Sequence, residues 1–432
     1  MTLRDVTASR WFFYLRLMVR RMWFRSSLYC LLAIFTVLVS PVANSWIPKD
    51  WASAVGADSI DGILNILASS MLAVTTFSLT TVVSAFATAS SATTPRATKL
   101  LIQNSNVQSA LATFIGAFLY SIVGIVALST PMYEEGSRFV LFIVTIVVIV
   151  VITVTLLRWI EQISHLGRVG ETIDLVEQTG RESLSARALA PELGGQRLTP
   201  DMALPAFTMN APDSGFLQHV DMKRLQEVAE DAGAKIYLLT LPGHLVSHYE
   251  PLFRFSGDLS PAQRETVASA VIVGDARTYS QDPRLGFVVA QEIAIRALSP
   301  AVNDPGTAIK VLGAQLRMLE CWARTVRESR DQLDVCYDRI YVPAIDINDF
   351  FMDAFNPIAR DGAAFIEVGL RLQRVLQGLC EMGFDSYKEP IRFHAELAME
   401  RGGHGMTAET DKALLRQAYE QTQKRWRVNY PD

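Results

Sequence analysis

The sequence predicts an α-helical integral membrane protein with four transmembrane helices, plus a cytoplasmic α+β region made of a small β-containing unit followed by a helical layer. Three observations carry that reading. First, Leu28–Trp46, Ile63–Ser91, Ala110–Thr130 and Phe139–Leu157 are long apolar stretches free of Asp, Glu, Lys, Arg and His. A helix crossing a bilayer core needs roughly 20 mostly apolar residues. Second, residues 1–160 carry 11 Lys/Arg against 6 Asp/Glu, while the remainder carries 29 against 38, so a basic membrane part precedes an acidic polar part. Third, the pattern beyond residue 195 changes to short strand-like runs and then to repeated helical periods.

The elements follow in order. Residues 1–27 hold Arg4, Arg10, Arg16, Arg20, Arg21 and Arg25 among Trp11, Phe12, Phe13, Tyr14, Trp23 and Phe24, the composition of a basic, aromatic interfacial segment. Residues 28–158 form the four-helix transmembrane domain. Its first apolar run exceeds the ~7–15 residues of a signal-peptide core, so it reads as a retained anchor. Arg96 and Lys99 follow the second span, and Arg158 and Arg168 follow the fourth. Asp50, Asp58, Asp61, Glu134 and Glu135 occupy the opposite loops. The positive-inside rule then places both termini in the cytoplasm. The acidic polar part argues against nucleic acid as a partner. The absence of charge inside the spans disfavours proton relays, voltage sensors and ion-coupled transporters.

The second span is rich in hydroxyls, with eleven Ser/Thr between Ser69 and Ser91. Ser69, Thr76, Thr80, Ser84, Thr88 and Ser91 are spaced 7, 4, 4, 4 and 3 apart, which sets them on one slowly drifting helix face. Such a face either packs against another helix, because small and hydroxylated residues let backbones approach, or lines a pore between several copies. Ala112, Gly116 and Gly124 give the third span a small-residue packing face. The fourth span, rich in Val and Ile, is the best candidate to face lipid.

Residues 159–195 read as an amphipathic connector helix, from Trp159 to about Leu184, and a loop with Pro191 and Gly194–Gly195. Residues 196–260 read as a small α/β unit. It comprises a strand at 214–220, a helix Met222–Ala232 capped by Asp221, a strand Ile236–Leu241, a Pro242-Gly243 turn and a strand His244–His248. On a strand, His244 and His248 stand roughly 13 Å apart, too far for one metal. Residues 261–432 read as a mainly helical domain with helices at Asp346–Ala359, Ala363–Glu381, Lys388–Glu400 and Thr407–Lys424, the last two separated by Gly402-Gly403-His404-Gly405 and the first a candidate for a kink at Pro357. Cys321, Cys336 and Cys380 lack paired spacing and read as reduced thiols, as does Cys30 in the first span.

The most specific stretch runs Gly274-Asp275-Ala276-Arg277-Thr278-Tyr279-Ser280-Gln281-Asp282-Pro283 and then, after a helix, Ala297-Leu298-Ser299-Pro300-Ala301-Val302-Asn303-Asp304-Pro305-Gly306-Thr307-Ala308. Here the chain is similar to a bacterial family of predicted membrane proteins, domain of unknown function 2254. In that family an Arg-Thr, Gln-Asp pair precedes an A-L-S-P-x-x-N-D-P-x-T-A box. Pro95-Arg96, the Ser214-Gly215-Phe216 strand and the Pro-Gly turn also match, so the resemblance covers most of the chain. It implies a multi-pass bacterial inner-membrane protein with a cytoplasmic domain, and it supplies no mechanism.

The box itself obeys local rules. Pro300 ends the helix carrying Glu292 and Arg296. Asp304 suits the N-cap and Pro305 the first turn of a helix reaching about Val326, with Thr307 supporting the cap. Two readings stay open: a rigid helix–turn–helix corner, or a polar cluster of Arg277, Thr278, Asp282, Glu292, Arg296, Asn303, Asp304 and Thr307 that binds a ligand, an ion or a partner. No Walker loop, Rossmann fingerprint, G-x-S-x-G elbow, H-E-x-x-H or zinc knuckle occurs, so no catalytic residue, metal or cofactor is expected. The leading expectation is a homo-oligomeric ion channel or passive pore in the bilayer. Ser69, Thr76, Thr80, Ser84 and Thr88 would line it, Arg96 and Lys99 would ring its cytoplasmic mouth and favour anions, and the cytoplasmic domain would gate it. The alternative is a membrane-anchored sensor or scaffold whose cytoplasmic domain binds a ligand or protein partner.

Overall fold

From Ala57 onward the chain forms α1 (Ala57–Ala92), α2 (Pro95–Ile102), α3 (Ser105–Leu128) and α4 (Glu135–His165). The computed structural model describes residues 57–431 apart from 103–104, 130–134, 166 and 330–333, together with seven positions between 24 and 36. The interfacial segment 1–27 and the first apolar stretch, Leu28–Trp46, therefore lie almost wholly outside the described residues. Among the described residues, three helices are long and apolar enough to cross a membrane: Ser59–Ser90, Val107–Leu128 and Arg138–Ile163. By contact, the chain divides into one unit of residues 57–92 and 98–171 and a second of 93–97 and 172 onward.

In the first unit, α1 buries Ile60, Leu64, Leu67, Met71 and Val82 against Val107, Leu111 and Phe114 of α3. The recurrence at three- and four-residue steps is one face of a helix. α3 is the most enclosed of the three, and its Ala112, Gly116 and Gly124 are all buried. α4 leaves Ile143, Val147, Val150 and Leu157 exposed, as expected for a lipid-facing helix. Polar links also cross this apolar core. Tyr120 Oη and Thr145 Oγ1 lie 3.0 Å apart, and Trp159 Nε1 donates to Ser78 Oγ at 2.9 Å. Each contributes about 0.6–2 kcal/mol in such surroundings and fixes helix register.

The expected continuous helix from Trp159 to Leu184 is two helices. α4 ends at His165, and α5 (Val169–Leu189) begins after a break at Gly167, whose φ is +87°. That left-handed conformation suits glycine and interrupts a helix whose apolar period runs straight through it.

The second unit contains β1 (Gly195–Leu198), β2 (Phe207–Asn210), β3 (Gly215–Val220), α6 (Met222–Asp231), β4 (Ile236–Leu238), β5 (Leu245–Val246), β6 (Pro251–Phe255), α7 (Pro261–Ser269) and β7 (Val271–Gly274). It continues with α8 (Leu285–Ala297), α9 (Pro305–Ser329), β8 (Tyr337–Pro343), α10 (Ile347–Asp361), α11 (Ile366–Cys380), α12 (Lys388–Gly405) and α13 (Glu409–Asn429). Two small sheets form. One has the order β1-β8-β4-β6-β2, with β8 parallel to both its neighbours; the other is the antiparallel set β5-β3-β7. The β-containing part thus reaches beyond residues 196–260, because β7 and β8 complete the sheets. The expected strand His244–His248 is only Leu245–Val246.

Local chemistry explains several boundaries. Asp221 caps α6, its carboxylate accepting the Arg224 N–H at 3.1 Å. Ser260 and Gln263 form a reciprocal capping box on α7. Leu217, Leu225, Ile236, Leu238, Phe253, Phe255 and Ile340 are fully buried between strands and α6. The helical layer closes on Phe350, whose ring stands 5.2 Å from that of Phe287 and 5.1 Å from that of Trp322. The expected glycine break after Glu400 is displaced, because α12 runs to Gly405. Gly402 faces the next helix, and a Cβ there would lie 2.3 Å from Leu415 Cδ2, so this glycine serves close packing instead of helix termination.

His394 sits in the same layer, 3% exposed, against Phe351, Phe355 and Phe393. Burial, helped by the charge of Arg401, pulls its imidazole from 6.5 down to about 4. Above pH 6.5 neither folded nor unfolded chain holds this proton. Between pH 6.5 and about 4 the unfolded chain takes it up first, so stability falls with pH, by about 3 kcal/mol at the lower end. Denaturant melts of the detergent-solubilised protein are expected to show this decline, and His394→Leu to flatten it; an unchanged slope contradicts the assignment.

Candidate functional site

The Gly-Asp-Ala-Arg-Thr segment leaves β7 and returns to α8 through residues 275–284. Arg277, Thr278, Gln281, Asp282 and Arg284 in this loop each have a structural partner. Arg277 grips Asp282 with two bonds, Nε to Oδ2 at 2.7 Å and Nη2 to Oδ1 at 3.0 Å. Asp282 is 1% exposed and also accepts the Arg284 backbone N–H at 3.1 Å. Gln281 imitates a strand neighbour: its side chain accepts the Val220 N–H at 2.8 Å and donates to the Val220 carbonyl at 3.0 Å. Gln218 Nε2 donates to the Ala276 carbonyl at 2.7 Å, and Thr278 Oγ1 lies 3.5 Å from the Gln218 carbonyl. From α5, Ser183 Oγ lies 3.1 Å from the carbonyls of Tyr279 and Asp282. Arg187 Nη2 donates to the Gln281 carbonyl at 2.6 Å. Burial lowers the Arg187 guanidinium to about 10, against the opposing pull of Asp282 and Glu192. Burial also pushes the Tyr279 phenol upward.

The Pro242-Gly243 turn presses on the same carboxylate. A Cβ on Gly243 would lie 2.4–2.7 Å from the Asp282 carboxyl atoms, and its φ is +99°. Only glycine lets the turn approach so closely in that conformation.

Arg284 is the hub that sequence reasoning missed. Its Nε and Nη2 hold Asp353 at 2.7 and 3.2 Å, and its Nη1 reaches Asp349 at 2.5 Å and His244 Nε2 at 3.3 Å. Because arginine only donates, His244 Nε2 accepts, which leaves Nδ1 to donate to the Leu241 carbonyl at 3.1 Å. His248 Nδ1 lies 2.9 Å from the Ala211 carbonyl. Asp349 and Asp353 stand four apart on α10, on the surface turned to Arg284. Their separation from it by 65 and 69 residues gave no local signal.

The structure divides the eight polar residues into two sets. Arg277, Thr278 and Asp282 precede α8. Arg296, Asn303, Asp304 and Thr307 follow or end it, and Glu292 lies along it. Thirteen residues of helix set the two groups about 20 Å apart. The second set forms a corner. Asp304 accepts the Thr307 N–H at 3.1 Å and its hydroxyl at 2.6 Å, and the Asp304 N–H returns to the Ala297 carbonyl at 2.8 Å. Asn303 takes φ 53°, and asparagine is among the few residues suited to that region. Asn303 and Asp304 are exposed. Glu292 pairs with Arg96, which belongs to the same unit. Arg96 is therefore engaged, and Lys99 remains exposed.

The hydroxyl stripe of α1 lies opposite its packing face. Ser69, Thr76, Thr80, Ser84 and Thr88 are all exposed, interleaved with exposed Ile66 and Phe77. Ser69 donates to the Asn65 carbonyl, Thr76 to Leu72, Thr80 to Thr76 and Thr88 to Ser84, at 2.9–3.0 Å. With the donor used inside the helix, each oxygen presents acceptor lone pairs outward.

Comparison with known proteins agrees on the class. A family model described as predicted membrane protein (DUF2254) matches residues 19–378. Uncharacterized protein Rv1290c of Mycobacterium tuberculosis is 33% identical over 147 residues, 33% of this chain and 27% of that protein. Uncharacterized protein Mb1321c of Mycobacterium bovis matches with the same identity and coverage. The alignment thus spans about a quarter of the length of these relatives. No solved structure matches the chain.

Proposed function

We propose that this chain, which belongs to the predicted membrane protein family DUF2254, works as a homo-oligomeric channel or passive pore lined by α1. The observation that carries the reading is the exposed hydroxyl face of a span-length helix. In a lone chain those hydroxyls would meet lipid; in a ring of copies they would meet water. The outward acceptors suit water and cations better than anions, and the pairing of Arg96 with Glu292 weakens the cationic mouth expected from Arg96 and Lys99. The placement proposed is a bacterial inner membrane with both termini in the cytoplasm, following loop charge.

The sensor or scaffold reading ranks second. Arg277, Asp282, Arg284, Asp349 and Asp353 satisfy one another, so the loop acts as a brace for α8. The test is flux from liposomes containing the purified full-length protein. Salt or solute release above protein-free liposomes is expected, and none under any salt, voltage or tension contradicts the pore.

A further inference from the structure

A cavity of about 710 Å³ opens within the first unit, between the start of α3 and the end of α4. Ser109 and Thr113 line it from α3, Thr155 and Arg158 from α4, and Glu161 and Glu171 complete its charged rim. It stands at one end of two span-length helices: Ser109 is close to the start of Val107–Leu128, and Gln162, also in its wall, is close to the end of Arg138–Ile163. If those helices cross the bilayer, this end lies at the depth of lipid headgroups. Trp159 supplies a fixed wall, since it is 3% exposed and its indole N–H is held by Ser78. On the same helix, Leu157 and Ile160 are 64% and 59% exposed, an apolar flank for an acyl chain.

We propose that this cavity holds the headgroup of an amino-phospholipid. The phosphate would sit against Arg158 and the hydroxyls of Ser109 and Thr155, and the ammonium against Glu161 and Glu171, while Thr113, whose hydroxyl donates to the Ser109 carbonyl at 2.9 Å, lines the wall. One arginine and two glutamates give the rim a formal excess of one negative charge, which opposes a purely anionic headgroup. A guanidinium and hydroxyls are suited to phosphate, and carboxylates accept hydrogen bonds from a primary ammonium. A choline headgroup keeps the positive charge and lacks those N–H donors. The volume is of the size that holds small polar ligands. The site is independent of the pore reading.

Full-length protein in neutral detergent, challenged with equal amounts of phosphatidylethanolamine, phosphatidylcholine and phosphatidylglycerol, would be analysed by native mass spectrometry. Phosphatidylethanolamine is expected to be retained several-fold over the other two. Arg158→Ala should abolish that retention, and Glu161→Gln with Glu171→Gln should bring the three lipids to parity, with melting temperature in detergent confirming that each variant folds. Free phosphoethanolamine forms a separate arm and is expected to compete weakly. Equal retention of the three lipids overturns the proposal, as does selectivity unchanged in the glutamine variants. Competition by phosphoethanolamine as strong as by the lipid overturns the lipid as occupant.

Discussion

Thr80→Cys protein in liposomes is expected to conduct until a cationic thiol reagent reaches the new sulfur, and then to lose flux by roughly tenfold or more. A tenfold loss needs only about 1.4 kcal/mol added to the barrier. Thr80 is the middle of the exposed stripe, and its side chain makes no buried contact that the substitution would remove. Val82, two residues on, faces inward and is 4% exposed, so Val82→Cys should resist the reagent and keep its flux. Wild-type protein, with its own four cysteines, serves as the control for modification elsewhere. Equal block at both positions, or at neither, removes the stripe from the conduction path.

Asp282→Ala is expected to be the most damaging single change in the second unit. The carboxylate is 1% exposed and takes two bonds from Arg277 and one from the Arg284 backbone. It also supports the charge of fully buried Arg187. Removing one partner of a buried pair costs about 3–5 kcal/mol, because the other charge is left without compensation. For a unit of this size the melting temperature should fall by about 10 °C. Gly243→Ala should act on the same spot, since its Cβ would displace that carboxylate. Thermal unfolding of the full-length protein in detergent measures both, and an unshifted melt for Asp282→Ala would show the brace to be dispensable.

Helical features were legible where they are local. Three apolar runs became span-length helices, and Asp221 and Asp304 cap the helices that begin after them, because length, period and capping chemistry act over a few neighbouring residues. Strands were legible only in part. β8 inserts between β1 and β4 from roughly 100 residues downstream of β4, and β1, β5 and β7 are two to four residues long, too short for alternation to show. Tyr337, Ile340 and Val342 do form a buried pattern within a β-branched, aromatic run, which was the available signal for β8. Within the candidate site, Arg277 and Asp282 are near neighbours in sequence and in space. Arg284 was missed because its acceptors come from α10 and its third contact from the Pro-Gly turn. The break at Gly167 was hidden by the apolar period on either side of it, since a single left-handed residue leaves that period intact.

The central claim is that copies of this chain meet around the hydroxyl face of α1. Cryo-electron microscopy of the full-length protein in lipid nanodiscs measures it most directly. The account predicts several copies related by an axis, with Thr76, Thr80 and Ser84 facing a hydrated path along it. A single chain, or an assembly in which that face lies against lipid or is sealed against a neighbour with no axial path, contradicts it.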